Sequence, residues 1–181
     1  MTVEAGPPTV VVDEKRGRVV IGATLDRYDS YVDTLDAATG LMLHRVMLPG
    51  PPAYPLAVDE ATGRAVLYEE PNYTGGASYV GFLDTRSGRI LRTTQVSLLG
   101  DGSPLATAAV NAVTGHALIA TQDDPEAAAH ISVVDTSTGR VIRTMVIGRG
   151  APTVVVAAHT QRVFVTNRDD NTMSVLDAAH L

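Results

Sequence analysis

The sequence predicts an all-β chain built from four copies of one four-stranded unit. Three observations carry this. Gly-x-Pro triplets begin at Gly6, Gly50, Gly102 and Gly150, spaced 44, 52 and 48 residues apart. Each triplet leads into short runs of β-branched and small apolar residues, broken by turn residues roughly every 8–12 positions. Nowhere does a 3.6-residue apolar period last long enough for a sizeable helix.

The elements of the unit follow in order. A first strand of β-branched residues occupies positions such as 9–12 and 153–156. A polar turn comes next, at 13–17, 59–63 and 111–115, with a degenerate copy at 157–161. The second strand reads Val19-Val20-Ile21, Ala65-Val66-Leu67, Ala117-Leu118-Ile119 and Val163-Phe164-Val165. After a variable polar loop the third strand ends on Asp36, Asp84, Asp135 or Asp177, and glycine closes the next turn at Gly40, Gly88 and Gly139. A fourth strand, such as 41–48 or 140–147, returns to the next Gly-x-Pro. Four-stranded units at this period predict a β-propeller with one unit per blade. The blades fall at about 7–50, 51–102, 103–150, and 151–181 joined by 1–6. A two-sheet sandwich uses similar strands, but it does not need the same turn chemistry four times over.

An aspartate at the end of every third strand invites a reading as a metal or catalytic carboxylate. Repetition argues against it, since one active site would not recur in each unit. An Asp before a turn accepts hydrogen bonds from backbone N–H groups two or three residues on, and glycine supplies the positive φ. The same reading applies to Asp13 and Asp59 with their glycines.

The last repeat stops at Leu181, in the register where the others carry glycine. Residues 2–6 align with 146–150, the end of a fourth strand. A blade of three C-terminal strands and one N-terminal strand would close a four-blade ring without free edges. The alternatives are a fragment of a longer propeller or a partial ring that self-associates, and sequence leaves them open.

Val163-Phe164-Val165-Thr166-Asn167, followed by residues 170–177, resembles the YVTN-repeat family of β-propellers. Residues 131–140 echo the pattern, and residues 57–64 resemble the turn before that family's second strand. The first two repeats lack the Thr-Asn signature, and the second carries a long loop at 71–77. The resemblance covers nearly the whole chain. It implies a binding or surface module, often periplasmic or extracellular, and its motifs specify a blade rather than an activity.

Composition narrows function further. The chain has 181 residues, no cysteine and a net charge of −6. The first point fits one domain, the second removes thiolate chemistry and disulfides, and the third weighs against sequence-independent nucleic-acid binding. Six Tyr, two Phe and no Trp make a poor base-stacking surface. No apolar run approaches the roughly 20 residues of a membrane span, and no basic and apolar signal segment follows Met1. His-Glu-x-x-His and Gly-x-Ser-x-Gly are both absent, so the expected cofactor is none.

On a repeated scaffold, function sits where the repeats differ. The loops between second and third strands carry Asp26, Arg27 and Asp29; Glu69 and Glu70; Asp123 and Asp124; and Arg168, Asp169 and Asp170. These ten residues form the candidate binding face, acidic overall and suited to a protein or a small polar ligand. The expected function is a non-enzymatic scaffold binding through this face. The rival is a propeller within an enzyme or redox protein, holding a cofactor or substrate over its channel, for which His130 beside the third loop is the qualifying histidine.

Overall fold

The computed structural model describes residues 9–24, 29–49, 53–69, 76–100, 105–122, 127–150 and 152–181. Four antiparallel meanders succeed one another along the chain. The first blade comprises β1 (Thr9–Asp13), β2 (Arg18–Thr24), β3 (Asp29–Asp36) and β4 (Met42–Pro49). The second comprises β5 (Ala53–Asp59), β6 (Arg64–Glu69), β7 (Gly76–Asp84) and β8 (Arg89–Gly100). The third comprises β9 (Leu105–Asn111), β10 (His116–Gln122), β11 (His130–Asp135) and β12 (Val141–Val146). The fourth holds β13 (Val154–Ala157), β14 (Arg162–Asn167) and β15 (Thr172–Asp177). The expected propeller of four-stranded blades is therefore the fold, with three strands of the last blade among the described residues. The strand expected from residues 2–6 lies outside them.

Each turn forms for the reason its residues predict. Asp135 accepts from the backbone N–H of Ser137 at 2.8 Å and of Thr138 at 2.7 Å. Asp36, Asp84 and Asp177 accept the N–H two residues on in the same way. Gly139 then takes φ +68°, a left-handed backbone that a β-branched side chain fits badly. A Cβ at Gly139 would also strike the Arg92 side chain of the preceding blade. Gly139→Val should therefore destabilise by about 1–3 kcal/mol; an unchanged melting temperature would contradict this turn geometry.

The four carboxyls that end the third strands lie below their ordinary range. Asp135 falls from 3.8 to about 2, held first by the Ser137 hydroxyl and then by the Thr138 N–H, against an upward pull from burial. Asp36 is lowered chiefly by the Thr39 hydroxyl, and Asp177 chiefly by the Ala179 N–H. For Asp84, burial pulls upward and the Ser87 and Arg86 hydrogen bonds outweigh it. A depressed folded-state pKa gives stability that is present above the unfolded value and lost as pH falls through the folded one. Melting temperature should thus drop as pH falls from about 4 to about 2, and a flat profile there would contradict the turns.

The blades stack face to face. β1, β5, β9 and β13 lie against one another in sequence and line the inner side of the arc. Alternation along each second strand sends neighbouring residues to opposite faces. In β6, Ala65 and Leu67 join Val20 and Val32 of the first blade, while Val66 and Tyr68 join Ala117 and Ile119 of the third. In β10, Leu118 and Ala120 turn the other way, onto Val154, Val163 and Val165 of the fourth. Three apolar clusters result, one per junction of consecutive blades. Among the described residues, none joins the fourth blade to the first.

Candidate functional site

Each blade has a turn end and a loop end, and the two are built differently. At the turn end, residues from separate blades meet in a repeated contact. Asp13, the last residue of β1, is fully buried, and its carboxylate accepts the hydroxyl of Thr85 in the second blade at 2.7 Å. Asp59, the last residue of β5, accepts the hydroxyl of Thr136 in the third blade at 2.8 Å. Asn111 holds the same place in the third blade and donates from Nδ2 to Gln161 of the fourth at 3.0 Å. Each carboxylate also caps its own turn: Asp13 accepts from the Arg16 N–H, and Asp59 from those of Ala61 and Thr62. These side chains are latches between blades as well as turn caps. Sequence reading assigned Asp13 and Asp59 the capping role alone.

The partners follow a rule. Thr85 and Thr136 each follow the terminal Asp of a third strand and donate their N–H to the carbonyls of Gly63 and Gly115. Ala37 and Ala178 fill the same place in the outer blades, donating to Gly17 and Gln161. A hydroxyl is therefore present where the preceding blade supplies Asp13 or Asp59. Where the preceding blade supplies Asn111, alanine stands instead and the contact shifts to Gln161.

At the loop end, the fourth blade is the best described. The segment entering it from the third blade folds over the β14–β15 hairpin. Asn167, buried, accepts from the Gly148 N–H at 3.1 Å and donates to the hydroxyls of Thr172 and Ser174 at 3.0 Å each. A Cβ at Gly148 would collide with Asn167, which explains the small residue. Arg149 binds Asp170 twice, through its backbone N–H at 2.8 Å and its Nε at 3.0 Å. Arg168 holds Asp169 at 3.0 Å.

Of the ten candidate residues, Asp29, Glu69, Arg168, Asp169 and Asp170 are described, and all five stand at this loop end. Asp26, Arg27, Glu70, Asp123 and Asp124 lie outside the described residues. Mutual repulsion among converging carboxylates would raise their pKa values. Asp170 moves the other way, lowered by the two Arg149 hydrogen bonds. Glu69 does rise, but through burial. The fourth-blade loop is a neutral lattice of two arginines and two aspartates. Sequence reading missed Arg149, which sits in the linker between blades. Asp170→Ala removes a solvent-exposed ion pair and should leave the melting temperature nearly unchanged.

Among the described residues, no three His, Asp or Glu side chains gather as metal ligands. His130 opens β11, opposite Thr121 and Val146 in the sheet. A cleft of about 180 Å³ lies between the second and third blades, lined by Arg64, Phe82, Leu91, Arg92, Thr136 and Ser137. It is smaller than the roughly 300–1,000 Å³ of small-molecule pockets, and Arg64 already donates across it to the Thr136 carbonyl at 2.6 Å. No helix among the described residues is long and apolar enough to cross a membrane.

No family model matches the sequence, and no curated protein matches it. Solved structures do. The chain is similar to hydrazine synthase of Kuenenia stuttgartiensis, with a TM-score of 0.71 at 10% identity, over 93% of this chain and 52% of that one. It is similar to U3-55K, with a TM-score of 0.61 at 12% identity, over 96% of this chain and 53% of that one. The WD40 repeats of RRP9 match with the same score and identity, over 96% and 52%. At these identities the likeness is one of fold. The chain is propeller-like and spans about half the length of these three solved chains.

Proposed function

We propose that the chain is a non-enzymatic propeller scaffold that binds a partner through its loop end, with a basic protein segment as the preferred class. The observation carrying this reading is the contrast between the two ends. The turn end keeps one capped, positive-φ turn design from blade to blade, with Asp, Asn, Thr, Ala, Gly or Gln exchanged at matching places, whereas the loops differ in length and charge. A framework that is constant except in its loops suits recognition. The WD40-like neighbours and the resemblance to YVTN repeats support a binding module.

Asp26, Asp29, Glu69, Glu70, Asp123 and Asp124 would provide the attraction. Arg27 and Arg168 would temper it, and the paired Asp169 and Asp170 would contribute mainly shape. Titration with calcium and with a polylysine peptide at two salt concentrations tests this. Peptide binding that weakens as salt rises, and weakens again in the Asp26→Asn, Asp29→Asn, Asp123→Asn and Asp124→Asn variant, is the expected result. Equal and negligible binding under all conditions would overturn the reading.

A further inference from the structure

Among the described residues, the two ends of the arc carry matching sheet faces that no other blade covers. In the fourth blade, the face turned away from the third presents Val155, Phe164 and Val175 in one register row and Met173 in the next. Val155, Met173 and Val175 are 55%, 56% and 51% exposed. In the first blade, the face turned away from the second presents Val12, Val19, Leu35 and Met42 in one row. Val10 and Met47 stand on the same face, and Val10 and Met47 are 59% and 51% exposed. These residue types also build the three inner junctions. The burial pattern agrees: β10 is buried on both faces, whereas β14 alternates.

Charge does not oppose contact on either face. Arg45 crosses the first-blade face, pairing with buried Asp33 at 2.7 and 2.6 Å and lying 4.1 Å from the Tyr31 ring centre. Arg162 and Asp177 pair at the margin of the last face.

The latch residues indicate what covers these faces. Ala157 stands where the first three blades supply Asp13, Asp59 or Asn111 to the following blade. Ala37 stands where the following blade would supply the threonine hydroxyl. A fourth blade without the carboxylate and a first blade without the hydroxyl suit each other, since neither leaves a buried polar group unpaired.

We propose that the occupant of each end face is a second copy of this chain, the last blade of each copy packing on the first blade of the other to close a two-chain ring. The interface is head to tail, and a two-fold axis closes it. Both junctions then involve both faces, which leads to a discriminating test. Sedimentation equilibrium of the 181-residue chain should give twice its 19.0 kDa mass. Val175→Lys on one face, or Val10→Glu on the other, should each leave a folded monomer with an unchanged circular dichroism spectrum. Mixing the two variants should restore a one-to-one dimer, because one junction is then wild type and the other pairs opposite charges. A monomeric wild type up to its solubility limit would overturn the proposal and leave the faces to other blades or another protein. A dimer that survives either single substitution, or masses that grow without closing, would overturn it too.

Discussion

Replacing Asp59 by alanine is expected to destabilise the chain by about 2–4 kcal/mol. The carboxylate is fully buried and accepts two backbone N–H groups, the Thr62 hydroxyl and the Thr136 hydroxyl of the next blade. Truncation removes the acceptor for the exposed turn donors of Ala61 and Thr62, leaves the buried Thr136 hydroxyl only the Gly115 carbonyl, and loosens a turn and a blade junction together. Asp59→Asn should cost less, about 1 kcal/mol, since an amide oxygen still accepts hydrogen bonds. The chain performs that exchange itself at Asn111, whose Oδ1 caps its turn by accepting from the Val113 N–H at 3.1 Å. Chemical denaturation of both variants checks the order. A smaller loss for alanine than for asparagine would contradict the latch.

The second large effect is steric. Gly22 lies in β2 on the face packed against β5. A Cβ there would sit 2.5 Å from Pro55 Cδ and 2.7 Å from the Ala53 carbonyl oxygen. Neither atom belongs to a flexible side chain, so Gly22→Val must force the first and second blades apart. A cost of about 3 kcal/mol is expected, at the upper end for overpacking. In a stacked-repeat protein such damage stays near its junction. Hydrogen exchange should therefore accelerate in β1–β4 while β10 and β11 keep their protection. Uniform acceleration across all blades would show a fold more cooperative than three separate junctions imply.

The strands and turns were legible in the sequence because their causes are local. The terminal Asp, the N–H groups it accepts and the closing glycine all lie within five residues. Asp36, Asp84, Asp135 and Asp177 each end a third strand as read. Gln161 shows the limit of that code. It replaces glycine in the fourth blade yet takes φ +52°, so the turn keeps its shape without its usual residue. The latches were not legible as such, because Asp13 meets a threonine 72 residues away and Asp59 one 77 residues away. The sequence does hold a signal for them, in the way Thr85 and Thr136 give way to Ala37 and Ala178 at the ends of the array. For the candidate site, composition identified the variable loops and their charge. It did not disclose that Asp170 is claimed by Arg149, since that arginine comes from the linker between two blades.

Successive blades are joined in order through the end of one blade's first strand and the third-strand turn of the next, or, at the last junction, the Gln161 turn. The chain has no cysteine, so a designed disulfide can report this directly. Asp13→Cys with Thr85→Cys places two thiols where side-chain oxygens now lie 2.7 Å apart. Asp13→Cys with Thr136→Cys is the control, because Thr136 serves Asp59 instead. Under mild oxidation, mass spectrometry of the non-reduced protein should find the 13–85 disulfide formed within single chains and the 13–136 disulfide absent. Failure of the first pair to form, or equal formation of both, would contradict the account.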